Sequence, residues 1–344
     1  MNDTQNTIKT IQSLATKLGE IKIMELCGSH SQTVARFNIK SILPPNIKLI
    51  SGPGCPICVT DQEDIDIVVG LAMQNIPIAI YGDTLSLPGS TGSLEKTKQL
   101  GKKIFIVYST VDAVKLKDQY PNLVFFAIGF ETTTPMTAWA IKQGLTVYCT
   151  HKLFPPAMEL LLQNKDLNID AFINPGHVSA IIGTSVYNNF DVPQVITGFE
   201  PEDVIESIKL LLELLINKEN KVINQYTKVV KPTGNLIAQQ AIRDVFEEGN
   251  GKWRGLGTIL HSGLQIKERY KKQDAKYIYK DLIEGIKKNV KPQISSCICG
   301  KILQGVKESK DCPLFNTVCN PENPQGACMV SAEGECRIQY TYKK

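Results

Sequence analysis

Cysteines are the residues of this 344-residue sequence whose number and spacing best suit chemistry, and nearly all of the ten fall into two groups. The amino-terminal group, which includes one histidine, is Cys27, His30, Cys55 and Cys58. The carboxyl-terminal group is Cys297, Cys299, Cys312, Cys319, Cys328 and Cys336. The sequence shows no secretory signal and no apolar run near the ~18 residues of a membrane span, so we expect a cytoplasmic protein. In a reducing cytosol, so many cysteines favour metal binding or thiol chemistry over a disulfide framework.

Both motifs of the amino-terminal group follow a predicted strand. Cys27 comes directly after one apolar run, and the pair Cys55-Pro-Ile-Cys58 follows the next. Ligands of open α/β sheets bind beyond the carboxyl ends of the strands, so we expect both motifs to face one crevice. Thr60 and Glu63 have the spacing of a capping box, which predicts a helix start beside Cys58 and a thiol activated by the helix dipole. A Cys-x-x-Cys pair alone leaves zinc, disulfide exchange and iron open as its chemistry.

The carboxyl-terminal group offers thiols alone, since no histidine follows His261. Thiolate-only ligation indicates zinc or an iron-sulfur cluster. Structural zinc sites use two tight Cys-Cys pairs, whereas these cysteines have wide and irregular gaps. The region after Pro292 also buries too little apolar surface to order itself, which favours a metal cluster. We expect four cysteines to hold an iron-sulfur cluster and two to exchange between dithiol and disulfide, and the spacing leaves open which four.

A few other residues have two interpretations of comparable weight. His30 and His177 are either structural histidines or polar groups of the crevice. Glu131, with the threonines at 132–134, either lines the crevice or caps the helix that follows. Cys149 lies apart from both groups in the sequence, and we predict that it is a buried small hydrophobic residue.

The elements that must position these groups alternate between strand and helix. Short apolar runs rich in β-branched residues predict buried parallel strands, and the helical stretches between them indicate βαβ units. The predicted strands are Ile21–Leu26, Ile47–Ile50, Ile76–Tyr81, Ile104–Tyr108, Leu123–Ile128, Leu145–Cys149, Ala171–Ile173 and Gln194–Ile196. The chain is therefore predicted to be α/β, with two similar parallel-sheet domains at residues 1–120 and 121–230. Residues 231–344 are predicted to form a carboxyl-terminal iron-sulfur domain of helices and irregular cysteine-rich loops.

Charge and motif content exclude some classes of protein. The net charge of +4 is too small for the strongly basic face of a nucleic-acid-binding protein. The sequence has neither a Gly-x4-Gly-Lys-Ser/Thr loop nor a Gly-x-Gly-x-x-Gly turn after a strand, which disfavours a common nucleotide-dependent enzyme. We therefore expect no nucleic acid and no membrane among the partners of this chain.

Several longer motifs occur together in the chain. They are Glu25-Leu-Cys-Gly-Ser-His30, Gly52-Pro-Gly-Cys-Pro-Ile-Cys-Val-Thr60, Gly129-Phe-Glu-Thr-Thr-Thr-Pro135, Asn174-Pro-Gly-His177 and Cys328-Met-Val-Ser-Ala-Glu-Gly-Glu-Cys336. With these motifs, nearly the whole chain resembles the HypD family of hydrogenase-maturation proteins. The family motif at Cys27 usually has threonine where this chain has Ser29, and we expect little effect because both side chains carry a hydroxyl.

The resemblance implies two similar α/β domains and a third domain that holds a 4Fe-4S cluster. It implies a scaffold, formed with the small chaperone HypC, on which an iron ion receives one carbonyl and two cyanide ligands. HypE supplies the cyanide, and the finished Fe(CN)2CO unit passes to the large subunit of a nickel-iron hydrogenase. The chain would then be a maturation scaffold with redox chemistry rather than a conventional turnover enzyme.

Carried onto this chain, the resemblance implies that Cys27 is the iron ligand shared with HypC and that His30 lies beside it. Cys55 and Cys58 would act as a redox pair or help to deliver cyanide. The implied cluster ligands are Cys297, Cys312, Cys319 and Cys336. The implied dithiol/disulfide pair is Cys299 and Cys328, similar to the cluster-driven disulfide chemistry of ferredoxin:thioredoxin reductase. The resulting hypothesis is a relay from the cluster through this pair to the Cys-x-x-Cys pair and then to the iron site.

Two functions from other classes compete with this hypothesis. A free-standing iron-sulfur dithiol-disulfide oxidoreductase acting on a client protein explains the cluster and the Cys-x-x-Cys pair, but not the Cys-Gly-Ser-His motif. A structural zinc protein that serves only as an interaction platform predicts a colourless protein with bound zinc and no redox signal.

Overall fold

Two parallel β-sheets form the centre of the computed structural model, which describes residues 2–164, 167–290 and 296–342. The strands are β1 (Ile21–Glu25), β2 (Ile47–Ser51), β3 (Ile78–Tyr81), β4 (Ile104–Val107), β5 (Val124–Ala127), β6 (Thr146–Cys149), β7 (Ala171–Pro175), β8 (Gln194–Thr197), β9 (Val222–Asn224), β10 (Phe246–Trp253) and β11 (Gly257–Ile266). The first sheet has the order β2-β1-β7-β8-β9 and the second has the order β4-β3-β5-β6, while β10 and β11 form an antiparallel hairpin. The predicted α/β class is confirmed, and every predicted strand corresponds to one of β1 to β8.

Helices follow most of the strands, as βαβ units require. They are α1 (Asn2–Ala15), α2 (Gly28–Arg36), α3 (Pro56–Val59), α4 (Gln62–Met73), α5 (Leu94–Gln99), α6 (Thr110–Gln119), α7 (Thr134–Lys142), α8 (Phe154–Gln163), α9 (Gly176–Ile182), α10 (Pro201–Asn217), α11 (Leu236–Val245), α12 (Ala275–Ile278), α13 (Lys280–Asn289), α14 (Cys299–Leu303), α15 (Ala327–Val330) and α16 (Glu335–Tyr342). None of the helices in the described ranges combines the length and the apolarity that crossing a bilayer requires.

Hydrogen bonding joins strands from both sides of residue 120. Strands β1 and β2 share a sheet with β7, β8 and β9, whereas β3 and β4 share a sheet with β5 and β6. The pairing therefore differs from a simple division of the sheets between residues 1–120 and 121–230. Apolar runs of similar β-branched content fit either sheet, so local sequence gives the positions of strands but not their partners. In the predicted third range, residues 291–295 and 343–344 lie outside the described residues.

A continuous apolar core underlies the two sheets. Ile23 in β1 and Phe172 in β7 have no exposed surface, as the strands of a parallel sheet covered on both faces should. Ile23 packs in one cluster with Leu211 of α10. Phe172 belongs to a larger cluster that also contains Phe126 of β5, so the core continues from the first sheet to the second. Each such side chain contributes roughly 1.5–3 kcal/mol to folding by leaving water.

The carboxyl-terminal segment returns to the amino-terminal elements. Helix α15 packs against α3, and α16 packs against α2. Because α2 and α3 follow β1 and β2, this packing brings the cysteine-rich loops to the edge of the first sheet where those two strands end. The hairpin was not predicted, because β10 contains Glu247, Glu248 and Gly249 where an apolar run would be needed for recognition.

Candidate functional site

Cys27 lies between β1 and α2, as the residue that precedes the first turn of the helix. Its backbone N–H donates to the Glu25 carboxylate over 3.0 Å, and Cys27 is only 8% exposed. Gly54, in the loop after β2, approaches so closely that a Cβ there would lie 2.5 Å from the Cys27 backbone nitrogen. A residue without a side chain is needed at this contact. The loop that carries the Cys-x-x-Cys pair is therefore packed directly on the Cys27 turn.

Burial keeps Cys27 as a neutral thiol. Desolvation, with smaller contributions from the nearby carboxyl groups of Glu333 and Glu25, raises the pKa of Cys27 to about 12. Desolvation also raises the pKa of Glu25 to about 7, against the hydrogen bonds that it accepts from Ser31 and Cys27. A buried thiol of this kind loses its proton most readily when a metal ion binds to its sulfur. The turn is therefore better suited to binding a soft metal ion than to free thiolate chemistry.

Cys55 and Cys58 form a disulfide at the start of α3. Strand β2 pairs in parallel with β1, and Ser51 lies opposite Glu25 at the ends of the two strands. The disulfide and Cys27 therefore leave the same edge of the first sheet, which is the placement that their positions after two strands predicted. Both cysteines of the pair are buried, so the disulfide is covered by other parts of the chain.

The helix start predicted at Thr60 is wrong by one residue. The carboxylate of Asp61 accepts a hydrogen bond from the N–H of Glu63 over 3.0 Å and caps α4. Thr60 instead ends α3, where its hydroxyl donates to the carbonyl of Pro56 over 2.9 Å. Aspartate is at least as good a cap as threonine, and the Thr60 hydroxyl already bonds to Pro56. The activated thiol predicted for Cys58 is also not observed, because its sulfur lies in the disulfide.

Two histidine rings stack on Phe199. The His30 ring stacks on Phe199 with centroids 4.9 Å apart, and the His177 ring stacks on Phe199 at 3.9 Å. Burial lowers the pKa of His30 to about 4, so its imidazole is neutral near pH 7. The backbone of Gly198 and Thr197 opposes this lowering of the pKa, although neither ring nitrogen makes a hydrogen bond of good geometry within the described residues. The sequence analysis did not assign Phe199 to the site. Its signal was the tripeptide Gly198-Phe-Glu200, which repeats the Gly129-Phe-Glu131 of one of the long motifs.

Glu131 follows β5 in the second sheet and is buried. One of its carboxylate oxygens accepts from the N–H of Phe154 over 2.8 Å, and the other has no partner among the described residues. Desolvation raises the pKa of Glu131 to about 7. Glu131 and Cys27 both act electrostatically on the buried phenol of Tyr187, so the two lie near the same buried group. Helix α7 begins after Thr133, whose side chain makes no capping hydrogen bond.

The structure brings together the two cysteines implied to form a dithiol/disulfide pair. The Sγ atoms of Cys299 and Cys328 lie 2.8 Å apart, and both residues are buried. A disulfide needs about 2.05 Å, so a small movement would join them. The Sγ of Cys58 lies 3.9 Å from the carbonyl oxygen of Ala327, the neighbour of Cys328. The amino-terminal disulfide and the carboxyl-terminal pair therefore lie on adjoining elements.

The cysteines implied to hold a cluster are Cys297, Cys312, Cys319 and Cys336. The backbone N–H of Gln325 donates to the Sγ of Cys319 over 3.3 Å, and the residue after Gln325 is Gly326. Burial raises the pKa of both Cys319 and Cys336. A Cβ on Gly326 would lie 2.6 Å from the Sγ of Cys297, so a larger residue at this position would clash with the sulfur. These cysteines thus share one region of the molecule.

The donor set of this region fits the chemistry of a 4Fe-4S cluster. Such clusters are held by thiolates, and the region offers soft sulfur donors. In the ranges that the structure describes, no group of three or more Cys, His, Asp or Glu side chains is arranged to hold a single metal ion. The fit of the cluster therefore rests on the identity and number of the thiols, of which Cys312, Cys319 and Cys336 are buried and Cys297 is partly exposed.

Two glutamates hold the carboxyl-terminal segment against the Cys27 turn. The hydroxyl of Ser29 donates to Glu333 over 2.8 Å, and the hydroxyl of Ser51 donates to Glu335 over 2.8 Å. A Cβ on Gly28 would lie 2.4 Å from the Cβ of Glu333, so this contact also needs a glycine. Sequence reasoning missed both glutamates as site residues, although they stand within the last cysteine motif of the chain. The two cysteine groups are therefore parts of one site.

Cys149 lies in β6 of the second sheet. It is 3% exposed and packs in an apolar cluster with Val147 and Ile141. Its Sγ lies 3.6 Å from the carbonyl oxygen of Leu264, and desolvation raises the pKa of Cys149 to about 11. These features confirm the prediction of a buried small hydrophobic residue.

Comparison with known proteins gives one consistent result. The family model HypD, described as "Hydrogenase formation hypA family", matches residues 2–343. A Methanocaldococcus jannaschii protein is 43% identical, with 99% of this chain and 97% of that protein covered. Hydrogenase maturation factor HypD2 of Bradyrhizobium diazoefficiens is 42% identical, with 97% and 92% covered. Hydrogenase maturation factor HypD of Escherichia coli is 39% identical, with 94% and 90% covered.

Proposed function

We propose, since the chain belongs to the HypD family of hydrogenase-maturation proteins, that it is a scaffold for assembling the Fe(CN)2CO unit of a nickel-iron hydrogenase. Its partners would be a HypC-like chaperone and a HypE-like cyanide donor, with the hydrogenase large subunit receiving the product. The observation that carries the proposal is the buried Cys27 turn, on which the disulfide loop and the carboxyl-terminal cysteine segment both pack.

In this proposal the iron ion is cargo, and Cys27 is its ligand from this chain. The Cys27 thiol releases its proton as iron binds, because burial disfavours a bare thiolate. The neutral imidazole of His30, in the first turn of the helix that follows Cys27, adds a buried polar group beside it. The low exposure of the turn excludes water from a site where a reactive ligand such as cyanide must be retained.

The cluster would be held by Cys297, Cys312, Cys319 and Cys336, and when bound it supplies single electrons to neighbouring sulfur atoms.

The Cys55–Cys58 pair and the Cys299–Cys328 pair would exchange a disulfide in two steps. A Cys328 thiolate attacks the Cys58 sulfur, the Cys55–Cys58 bond breaks, and a Cys328–Cys58 mixed disulfide forms. Attack by Cys299 on Cys328 then releases Cys58. The products are a Cys299–Cys328 disulfide and two thiols at Cys55 and Cys58, so the latter pair has gained two electrons and two protons. The 2.8 Å separation of the attacking pair and the contact of Cys58 with Ala327 support this order.

A trapping experiment tests the exchange. The full chain is reduced without oxygen by a one-electron donor, quenched with an alkylating reagent and mapped by mass spectrometry. We expect loss of the Cys55–Cys58 disulfide in the wild type and a trapped Cys328–Cys58 disulfide in Cys299→Ser, because the resolving thiol is missing. Cys149→Ser is the matched control, since Cys149 is buried in another sheet, and it should behave like the wild type. Reduction of the disulfide in Cys299→Ser at the wild-type rate, with no trapped species, would contradict the exchange.

The second candidate is a free-standing dithiol-disulfide oxidoreductase that acts on a client protein. The close Cys299 and Cys328 sulfurs and the adjoining disulfide favour it as well. It predicts that the purified chain alone turns over small disulfides, whereas the scaffold predicts no such turnover without a partner. Stoichiometric zinc in place of iron and sulfide would instead favour an interaction platform.

A further inference from the structure

The turn of the β10-β11 hairpin lies between the disulfide loop and the carboxyl-terminal cysteines. On one side, the backbone N–H of Arg254 donates to the carbonyl of Val59 in α3 over 2.9 Å. On the other side, a Cβ on Gly255 would lie 2.3 Å from the Cα of Gly300 in α14. Gly255 also has a φ of +79°, which a glycine adopts without strain. The turn therefore contacts α3, which carries Cys58, and α14, which carries Cys299.

Two of the three guanidinium nitrogens of Arg254 have hydrogen-bond partners among the described residues, and the third does not. Its Nε donates to the carbonyl of Thr60 over 2.9 Å, and its Nη1 donates to the Gln62 amide oxygen over 2.8 Å. Its Nη2 is buried and has no partner among the described residues. Buried polar groups in proteins are nearly always hydrogen-bonded, so this nitrogen requires an acceptor. A guanidinium can serve two acceptors at once because its N–H groups form a rigid fork.

The groups near this free nitrogen are sulfurs. Gly255, the residue after Arg254, packs on Gly300, which follows Cys299 in α14. The Sγ of Cys299 lies 2.8 Å from the Sγ of Cys328. In agreement with this placement, the Arg254 charge opposes the rise in the pKa of Cys297, Cys299 and Cys328. The carboxylates of Asp61 and Glu63, which flank Gln62 in the sequence, pair with Lys252. A sulfur that becomes negatively charged when a cluster binds is therefore the acceptor that we assign to Nη2.

We propose that Arg254 is a positioning residue for the cluster, with Nη2 donating a hydrogen bond to a sulfur of the cluster or of one of its thiolate ligands. The inference rests on the proposed function, because it needs a cluster held by the carboxyl-terminal cysteines. Arg254 binds the disulfide loop through Nε and Nη1, so it sets the position of the cluster relative to that loop. A donor at sulfur stabilises the more negative, reduced state, so Arg254 raises the reduction potential of the cluster.

A redox titration of the reconstituted full chain, followed by electron paramagnetic resonance, tests this inference. Arg254→Met removes both the charge and the donor, and we expect an unchanged iron and sulfide content with a midpoint potential shifted to more negative values. Arg254→Lys keeps the charge, but one ammonium group cannot replace the fork, so we expect a smaller shift in the same direction. Arg243→Met is the control, because Arg243 is exposed and its side chain donates to Gln239 and Gln240 of its own helix.

A wild-type midpoint potential in Arg254→Met would overturn the inference. If that variant fails to fold, Arg254→Lys decides instead, and an unchanged potential in that variant overturns the inference in the same way. Wild-type protein that takes up no iron and sulfide would refute the proposed function itself. That result is distinguishable, because it appears before any variant is compared.

Discussion

Burial determines the ionisation of the individual site residues more than residue type does. Desolvation raises the pKa of Cys27 to about 12 and lowers the pKa of His30 to about 4, so both are neutral near pH 7. The motifs predicted which cysteines and histidines belong to the site, because their positions after strands can be recognised in the sequence. Their ionisation could not be predicted, because the groups that cover them, such as Phe199 and Glu333, come from distant parts of the chain.

Glu131→Gln should remove a pH dependence of stability. Burial raises the pKa of Glu131 to about 7 from an ordinary value of 4.5. The folded state therefore binds the proton more tightly than the unfolded chain does. The stability from this proton is complete below pH ~4.5 and is lost as the pH rises through ~7. Between pH ~5 and ~8, we expect the wild type to lose roughly 1–3 kcal/mol of unfolding free energy that Glu131→Gln does not lose.

Urea denaturation across this pH range measures the difference. Glu159→Gln is the matched control, because Glu159 is an exposed residue of α8 and its substitution should leave the wild-type slope. Parallel profiles for the wild type and Glu131→Gln would contradict the buried, proton-binding carboxyl described for Glu131.

At the scale of elements, local sequence predicted where strands occur but not which strands pair. The apolar runs at β1 to β8 have clear limits, yet β1 pairs with β7, which lies more than a hundred residues away. Parallel pairing depends on crossover connections and on packing between distant segments, and neither leaves a local signal. The start of α4 shows the same limit at a smaller scale, because Thr60 and Asp61 are both good caps and only the folded loop selects Asp61.

Two helical glycines should respond to alanine in opposite directions. Gly285 in α13 has no atom within 4 Å of its Cβ position, so Gly285→Ala should stabilise the protein by ~1 kcal/mol through helix propensity. Gly70 in α4 faces Ile286 of α13, whose nearest atom lies 2.7 Å from the Cβ position. Gly70→Ala should therefore destabilise the protein by ~1–3 kcal/mol through overpacking. Urea denaturation of both variants checks the signs, and stabilisation by Gly70→Ala would contradict this packing of α13 on α4.

At the scale of the whole molecule, two cysteine groups at opposite ends of the sequence form one site. Hydrogen bonds from Ser29 to Glu333 and from Ser51 to Glu335 join the segments that carry them. The long motifs located most of the site. They did not reveal Arg254 as a site residue, because a single arginine carries no spacing signal, and the tripeptide that contains Phe199 was too short to assign Phe199 to the site. Under the proposed function, Cys27 would hold the cargo iron and the carboxyl-terminal thiols would hold the cluster, with the Cys55–Cys58 disulfide on an adjoining loop.

The most direct test of this account is infrared spectroscopy combined with iron analysis on the chain purified without oxygen together with a HypC-like partner. For the wild type and for the control Cys149→Ala, the account predicts carbonyl and cyanide stretching bands and iron in excess of the about four atoms of one cluster. For Cys27→Ala, it predicts that the cluster iron stays while the bands and the excess iron disappear. Carbonyl and cyanide bands that persist in Cys27→Ala would contradict the assignment of Cys27 as the iron ligand and, with it, the scaffold.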